Sequence, residues 1–127
     1  NVFQMYYHSI ADRFYIWIKS GGTGTTSYLD TSAILNIEEW NHFTMVFDGT
    51  QAANDDRCKL YINGGSDVIT NRGTMPTTFV NSTEPFLIAR GLNGYFTGEV
   101  ANTLIYNKAL SEAEVTQNYN ATKGRFT

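Results

Sequence analysis

Carboxylates, imidazoles and a thiol are the side chains of this 127-residue sequence that could do chemistry, and their spacing decides what chemistry is open to them. Hydrolysis of a glycosidic bond needs two carboxyl groups that face each other at about 5 to 9 Å. Glu38 and Glu39 are neighbours and therefore lie on opposite faces of an extended chain, while Asp55 and Asp56 stand in a turn-like stretch. Neither pair meets the requirement, so we expect no enzyme.

The two histidines and the single cysteine offer no catalytic or metal-binding pattern. His8 and His42 lie outside any G-x-S-x-G or H-E-x-x-H context, which excludes a serine triad and a zinc site of those kinds. Cys58 alternates with Leu60 and Ile62, so all three share one face of a strand. We expect Cys58 to be a buried and unreactive core residue.

Composition and charge narrow the class of protein further. Apolar residues make up 42% of the chain and aromatic residues 14%, which suits a β-rich globular domain over residues 1–127. The nine Lys and Arg residues are scattered and the net charge is −3, so we expect no nucleic-acid partner. No run of 18 apolar residues occurs, so we expect no membrane insertion.

The periodicity of the apolar residues predicts that the chain is built from short strands. Apolar groups on both sides of residues 13–19 indicate a central strand covered on both faces, and residues 41–64 indicate a long-looped hairpin. The stretch 20–33 is turn-rich and is predicted to be a loop with one short edge strand. The predicted strands are residues 2–7, 13–19, 41–49 and 58–64, with weaker ones at 77–80, 85–89 and 98–106. Together they predict an all-β domain of two packed antiparallel sheets.

The C-terminal segment carries a helix signature. Ser111 is a good N-cap, and Glu114 three residues later completes a capping box. Leu110 and Val115 are spaced to form a hydrophobic staple, and Val115 shares a helix face with Tyr119. We expect a helix of about ten residues that docks on the sandwich, because so short a helix needs packing to persist.

The order of three motifs resembles a known family. The stretch "WNHFTMVFDG", then "KLYING", then "PFLIARGLNGYFTGEVANTLIYNKALSEAEVTQNY" is similar to the laminin-G-like branch of the concanavalin A-like jelly rolls over residues 10–123. The resemblance implies a two-sheet antiparallel jelly-roll sandwich with one short C-terminal helix, and a packing or hydrogen-bonding role for His42. The family opens with further strands that this sequence lacks, so either a longer polypeptide or a partner would supply them.

Function follows from the resemblance and remains an expectation. The ending "QNYNATKGRF" resembles laminin-G-like modules of tailed-bacteriophage structural proteins, which implies a non-enzymatic recognition or structural module on a virion or an extracellular surface. Such a module would contact a glycan, a protein surface or other structural subunits, including copies of itself. The alternatives are a calcium-assisted lectin-like adhesion domain of a secreted or cell-surface protein and, behind it, a fragment of a glycoside hydrolase.

Four residues are the candidate site residues. Asp12 precedes a strand where the family often binds calcium, so it is the candidate metal ligand, although one carboxylate alone binds a hard cation weakly. Tyr28, Asn93 and Tyr95 are predicted to lie in loops at the rim of the sandwich. Tyrosine rings stack on sugars and asparagine amides bond to their hydroxyls, so these three are the candidate ligand-binding residues.

Overall fold

The structure is a computed structural model of the chain, and the described residues form nine strands and one α-helix. The described residues are 3–8, 13–20, 23–30, 38–67, 70–79, 83, 85–91 and 94–126. The strands are β1 (Phe3–His8), β2 (Arg13–Ser20), β3 (Thr23–Asp30), β4 (Phe43–Phe47), β5 (Cys58–Ile62), β6 (Gly65–Asp67), β7 (Thr70–Arg72), β8 (Arg90–Gly91) and β9 (Gly94–Tyr95). The helix α1 is Glu112–Thr122, and short 3₁₀ turns lie at Asn54–Asp56 and Lys123–Arg125.

Two antiparallel sheets contain most of the strands. The first has the order β1-β2-β3-β7 and the second the order β4-β5-β6, while β8 and β9 form a separate short hairpin. Strand β2 has a partner on each side, so the central position predicted for residues 13–19 is confirmed. The mostly β architecture with one C-terminal helix is also confirmed, and the complete jelly roll stays a prediction.

Strand β3 is longer and more central than its sequence indicated. All eight of its residues pair with β2, and residues 26–28 pair with β7 as well. The prediction that residues 20–33 form a loop with one short edge strand is therefore wrong for residues 23–30. Glycine, serine and threonine are typical of turns, but the pairing with β2, and of residues 26–28 with β7, holds the segment extended.

The main core lies between the two sheets. The phenyl ring of Phe14 stacks on that of Phe43 with 4.5 Å between centroids, so β2 and β4 meet face to face. The side chains alternate inward from β2 and β5, as their period-two pattern predicted. The buried cluster contains Phe14, Ile16, Ile18, Cys58, Leu60, Ile62 and Met75. On the other face of β2, Tyr15 and Trp17 are only half-buried, so complete cover on both faces is not observed.

The second sheet is apolar on its other face as well, and α1 covers it. Val46 and Tyr61 point away from the main core and form a second buried cluster with Leu110 and Val115. Val115 is fully buried there, although it is one helical turn from the exposed start of α1. Sheet β4-β5-β6 is thus the middle layer of three.

The start of α1 confirms the capping box and the hydrophobic staple. The Ser111 amide donates to Glu114 Oε2 at 2.8 Å, and the Glu114 amide donates to Ser111 Oγ at 3.3 Å. The Lys108 ammonium also donates to the Glu114 carboxylate. This ammonium, with the Ser111 backbone and hydroxyl donors, lowers the pKa of Glu114 to about 2.

Three weaker strand predictions are not supported. Residues 77–79 and 85–89 lie outside the strands, and β8 begins only at Arg90. Residues 98–106 also form no ladder, and they are exposed throughout. An apolar pattern shows that a segment can be a strand, but pairing depends on a partner edge that the pattern does not reveal.

The tight turn between β5 and β6 brings sheet and helix together. Asn63 and Gly64 occupy it with φ of 51° and 81°, the left-handed values of a two-residue hairpin turn. A Cβ atom on Gly64 would lie 2.6 Å from Cδ1 of Tyr119 on α1. The Thr116 hydroxyl donates to the Gly64 carbonyl at 3.1 Å. Glycine at 64 therefore permits both the turn and the helix contact.

We predict that Gly64→Ala lowers the free energy of unfolding by about 2 kcal/mol or more, because left-handed strain adds to a clash with Tyr119. Urea denaturation measures the change. The control is Gly65→Ala, where a Cβ would meet only the Ile62 carbonyl oxygen at 3.6 Å and the change should stay within about 0.5 kcal/mol. Equal losses in both variants would contradict the proposed contact between turn and helix.

Candidate functional site

The β8–β9 hairpin presents the most exposed aromatic ring among the described residues. Tyr95 pairs across the hairpin with Arg90, and the Phe96 amide donates to the Ala89 carbonyl at 2.9 Å to close the ladder. Ala89 has a φ of 61° and Gly94 a φ of 150°, which turn the chain at each end of the short ladder. The Tyr95 side chain is 79% exposed.

A cation accompanies this ring. The Arg90 guanidinium carbon lies 5.9 Å from the Tyr95 ring centroid, at the outer range of a cation–π contact. A flat ring beside a guanidinium offers an apolar stacking surface and several N–H donors at one place. Such a pair can stack on a sugar ring and donate to its hydroxyl or carboxylate oxygens.

The other predicted ligand-binding residues do not join Tyr95 in the described structure. Tyr28 lies inside β3, opposite Tyr15 and Thr70 in the backbone register, so its expected place in a rim loop is wrong. Asn93 lies outside the described residues, as does Asp12, the candidate calcium ligand. The roles predicted for these three residues stay predictions, and Tyr95 is the described member of the set with an exposed side chain.

The junction between α1 and the β5–β6 turn contains a polar atom that the sequence did not reveal. His42 and Asn63 bond reciprocally: the His42 amide donates to Asn63 Oδ1 and the Asn63 amide to the His42 carbonyl, both at 2.9 Å. The imidazole packs 5.7 Å from the Tyr119 ring, which agrees with the expected packing role. Its Nδ1 atom is buried and has no hydrogen-bond partner in the described part of the chain.

Burial lowers the pKa of His42 below its ordinary value of 6.5, because the protonated ring loses hydration. A lowered pKa means that the unfolded chain takes up a proton at a higher pH than the folded chain. Stability is therefore unaffected above pH 6.5 and falls as the pH drops below it. The junction of α1 with the sheet weakens in acid.

We predict that the melting temperature falls between pH 7 and pH 5, and that His42→Gln flattens this dependence. Circular dichroism melts at a series of pH values measure it. The control is His8→Gln, which removes the other imidazole of the chain. If His8→Gln flattened the profile and His42→Gln left it unchanged, the assignment to His42 would be wrong.

Among the described residues, two carboxylates have a shifted pKa, and both pKa values are lowered. Asp48 accepts from Gln51 Nε2 at 2.7 Å, from Thr50 Oγ1 at 2.6 Å and from the Thr50 amide at 3.0 Å. These donors lower the pKa of Asp48, as Lys108 and Ser111 lower that of Glu114. Both groups organise local structure, and a general acid for glycoside hydrolysis would need its pKa raised.

Metal and thiol chemistry have no assembled site in the described residues. No group of three or more His, Cys, Asp or Glu side chains is placed to hold a metal ion there. Cys58 is fully buried, and desolvation raises the pKa of its thiol to about 12. Its predicted burial is confirmed. In the same part of the chain, no helix combines the length and apolarity that crossing a bilayer requires.

Comparison with known families agrees with the mostly β fold. The laminin G family model of the concanavalin A-like lectin/glucanases superfamily matches residues 1–116, and the chain belongs to this superfamily. The superfamily contains both carbohydrate-binding and hydrolytic proteins, so membership alone does not decide between them. No curated protein and no solved structure matches the chain, so the resemblance to bacteriophage modules stays a prediction.

Proposed function

We propose that the chain is a non-catalytic carbohydrate-recognition module of a larger assembly, with Tyr95 and Arg90 as its contact residues. The observation that carries this proposal is the Tyr95 ring, which is 79% exposed at a hairpin with a guanidinium beside it. An exposed aromatic ring with a cation beside it offers a face on which a ligand can stack. Membership of a lectin-containing superfamily supports a sugar as that ligand.

The proposed mechanism is stacking supplemented by charged hydrogen bonds. The apolar face of a pyranose covers the Tyr95 ring, and the Arg90 guanidinium donates to ring substituents. A carboxylate on the sugar would accept two parallel N–H bonds from a guanidinium, so acidic glycans are the preferred class. One exposed ring gives weak binding, on the order of millimolar, and several copies in an assembly strengthen it by avidity.

The absence of catalysis is part of the same proposal. Asp48 and Glu114 are ionised by their donors well below neutral pH, so neither can protonate a glycosidic oxygen at pH 7. The glycoside hydrolase alternative therefore ranks behind the binding module. The setting that we propose is an extracellular or virion surface, supported by the C-terminal motif of residues 104–127.

We predict that a glycan array shows binding of the wild-type chain to acidic glycans and that Tyr95→Ala abolishes it. The matched control is Phe86→Ala, which removes another exposed ring, 62% accessible, and should leave binding unchanged. Running the array with calcium and with EDTA tests the calcium-assisted alternative at the same time. No binding in either condition would contradict carbohydrate recognition, and equal losses in both variants would remove Tyr95 as the specific contact.

A further inference from the structure

Three consecutive large apolar side chains are exposed immediately before the β8–β9 hairpin. Phe86 is 62% exposed, Leu87 51% and Ile88 50%, and we call these three residues the apolar run. Single exposed apolar residues are ordinary on a protein surface, whereas a run of them makes a continuous apolar patch. The apolar run is therefore a surface that an apolar ligand or partner can cover.

The apolar run adjoins the proposed sugar contact. Ile88 precedes Ala89, whose carbonyl accepts from the Phe96 amide at 2.9 Å at the end of the hairpin ladder. Because consecutive α-carbons are about 3.8 Å apart, the α-carbon of Phe86 lies no more than about 11 Å from that of Ala89. Ala89 has a φ of 61°, an uncommon value for a residue with a side chain, and it sets the angle at which the run meets the hairpin. One ligand of moderate size can therefore contact both features.

The charge of this stretch indicates what kind of ligand that is. Arg90 is the only charged residue between Pro85 and Gly98, and it is exposed beside the Tyr95 ring. A cation without a neighbouring acid in the sequence favours an anionic partner. Tyrosine combines an apolar ring with a polar hydroxyl, so it suits the boundary where lipid tails meet headgroups. An apolar run, a tyrosine and one cation together fit a ligand with an acidic head and an apolar tail.

We propose that the ligand is an acidic glycolipid in a membrane, whose sugar head binds Tyr95 and Arg90 while the apolar run enters the lipid boundary. This inference rests on the proposed function, because it keeps the sugar contact and adds the lipid. A helix needs about 20 residues to cross a bilayer, so three residues dock at its surface and cross nothing. Buried apolar area and charge attraction both strengthen such docking, so the glycolipid in a membrane binds more tightly than its free sugar head.

The test compares one sugar head in a membrane and in solution. The probes are phosphatidylcholine vesicles that contain a ganglioside, which is an acidic glycolipid, and the free oligosaccharide of the same ganglioside. We expect the dissociation constant for the ganglioside in vesicles, from co-sedimentation, to be at least about tenfold below that for the free oligosaccharide, from NMR titration. Vesicles in which phosphatidylserine supplies the same negative charge without a sugar should bind at least about tenfold more weakly than the ganglioside vesicles.

Two identical substitutions separate the apolar run from other exposed apolar residues. Leu87→Ala should weaken binding to ganglioside vesicles about fivefold and leave binding to the free oligosaccharide unchanged, because only the vesicle offers lipid to this side chain. The matched control is Leu104→Ala, since Leu104 is 66% exposed but lies outside the run, and both affinities should keep their wild-type values. Tyr95→Ala should lose binding to both probes, because it removes the sugar contact.

The outcomes distinguish failure of this inference from failure of the proposed function. Equal affinities for the vesicles and the free oligosaccharide, or a Leu87→Ala variant that binds vesicles like the wild type, would overturn the glycolipid and leave the sugar contact standing. Binding to the oligosaccharide but not to the vesicles would also overturn it and indicate a protein partner for the run. Equal binding to phosphatidylserine and ganglioside vesicles, with none to the oligosaccharide, would contradict the proposed function as well, as would no binding to any probe.

Discussion

The two-sided burial of β5 is the constraint on which the rest of the structure depends. Leu60 and Ile62 face the main core, where they meet the inward side chains of β2, and Tyr61 faces the helix. A strand buried on both faces has its register fixed by both faces. A slip by one residue would turn the side chains that face the main core toward the helix, and the side chain that faces the helix toward the main core. The first sheet and the helix α1 are thereby held by the same five residues of β5.

This constraint also explains the details at the edge of β5. The strand must end in a turn that leaves room for α1, and Gly64 provides that room beside Tyr119. His42 lies at the same junction. Its Nδ1 atom is buried and has no hydrogen-bond partner among the described residues. The pH sensitivity that we predict for the helix contact is thus a consequence of how tightly the second sheet is covered, because burial lowers the pKa of His42.

Sequence patterns predicted the parts of the fold whose information is local. Alternation identified β1, β2, β4 and β5, and the Ser111–Glu114 spacing identified the start of α1, because capping and side-chain periodicity act over a few residues. Strand β3 and residues 98–106 were misjudged in opposite directions. The composition of β3 suggests a turn, but pairing with β2 and β7 holds it extended. The composition of residues 98–106 suggests a strand, but they pair with no described strand, and single-sequence patterns do not reveal which strand edges meet.

The candidate site was predictable to a smaller degree. The exposure of Tyr95 follows from its position between turn residues, whereas the approach of Arg90 depends on the two-residue register of β8 and β9. Tyr28 looked equally exposed in sequence because its strand looked like a loop. The core and the C-terminal motif identify the fold, and the recognition chemistry that we propose lies on a short hairpin outside that core.

Amide hydrogen exchange, read residue by residue, tests the central role of β5 most directly. If β5 is clamped between the first sheet and α1, the amides of Leu60 and Tyr61 exchange only through global unfolding and are among the slowest in the chain. Residues 99–106, which are exposed and lie outside the strands, then exchange quickly. Exchange of the β5 amides as fast as that of residues 99–106 would contradict the account.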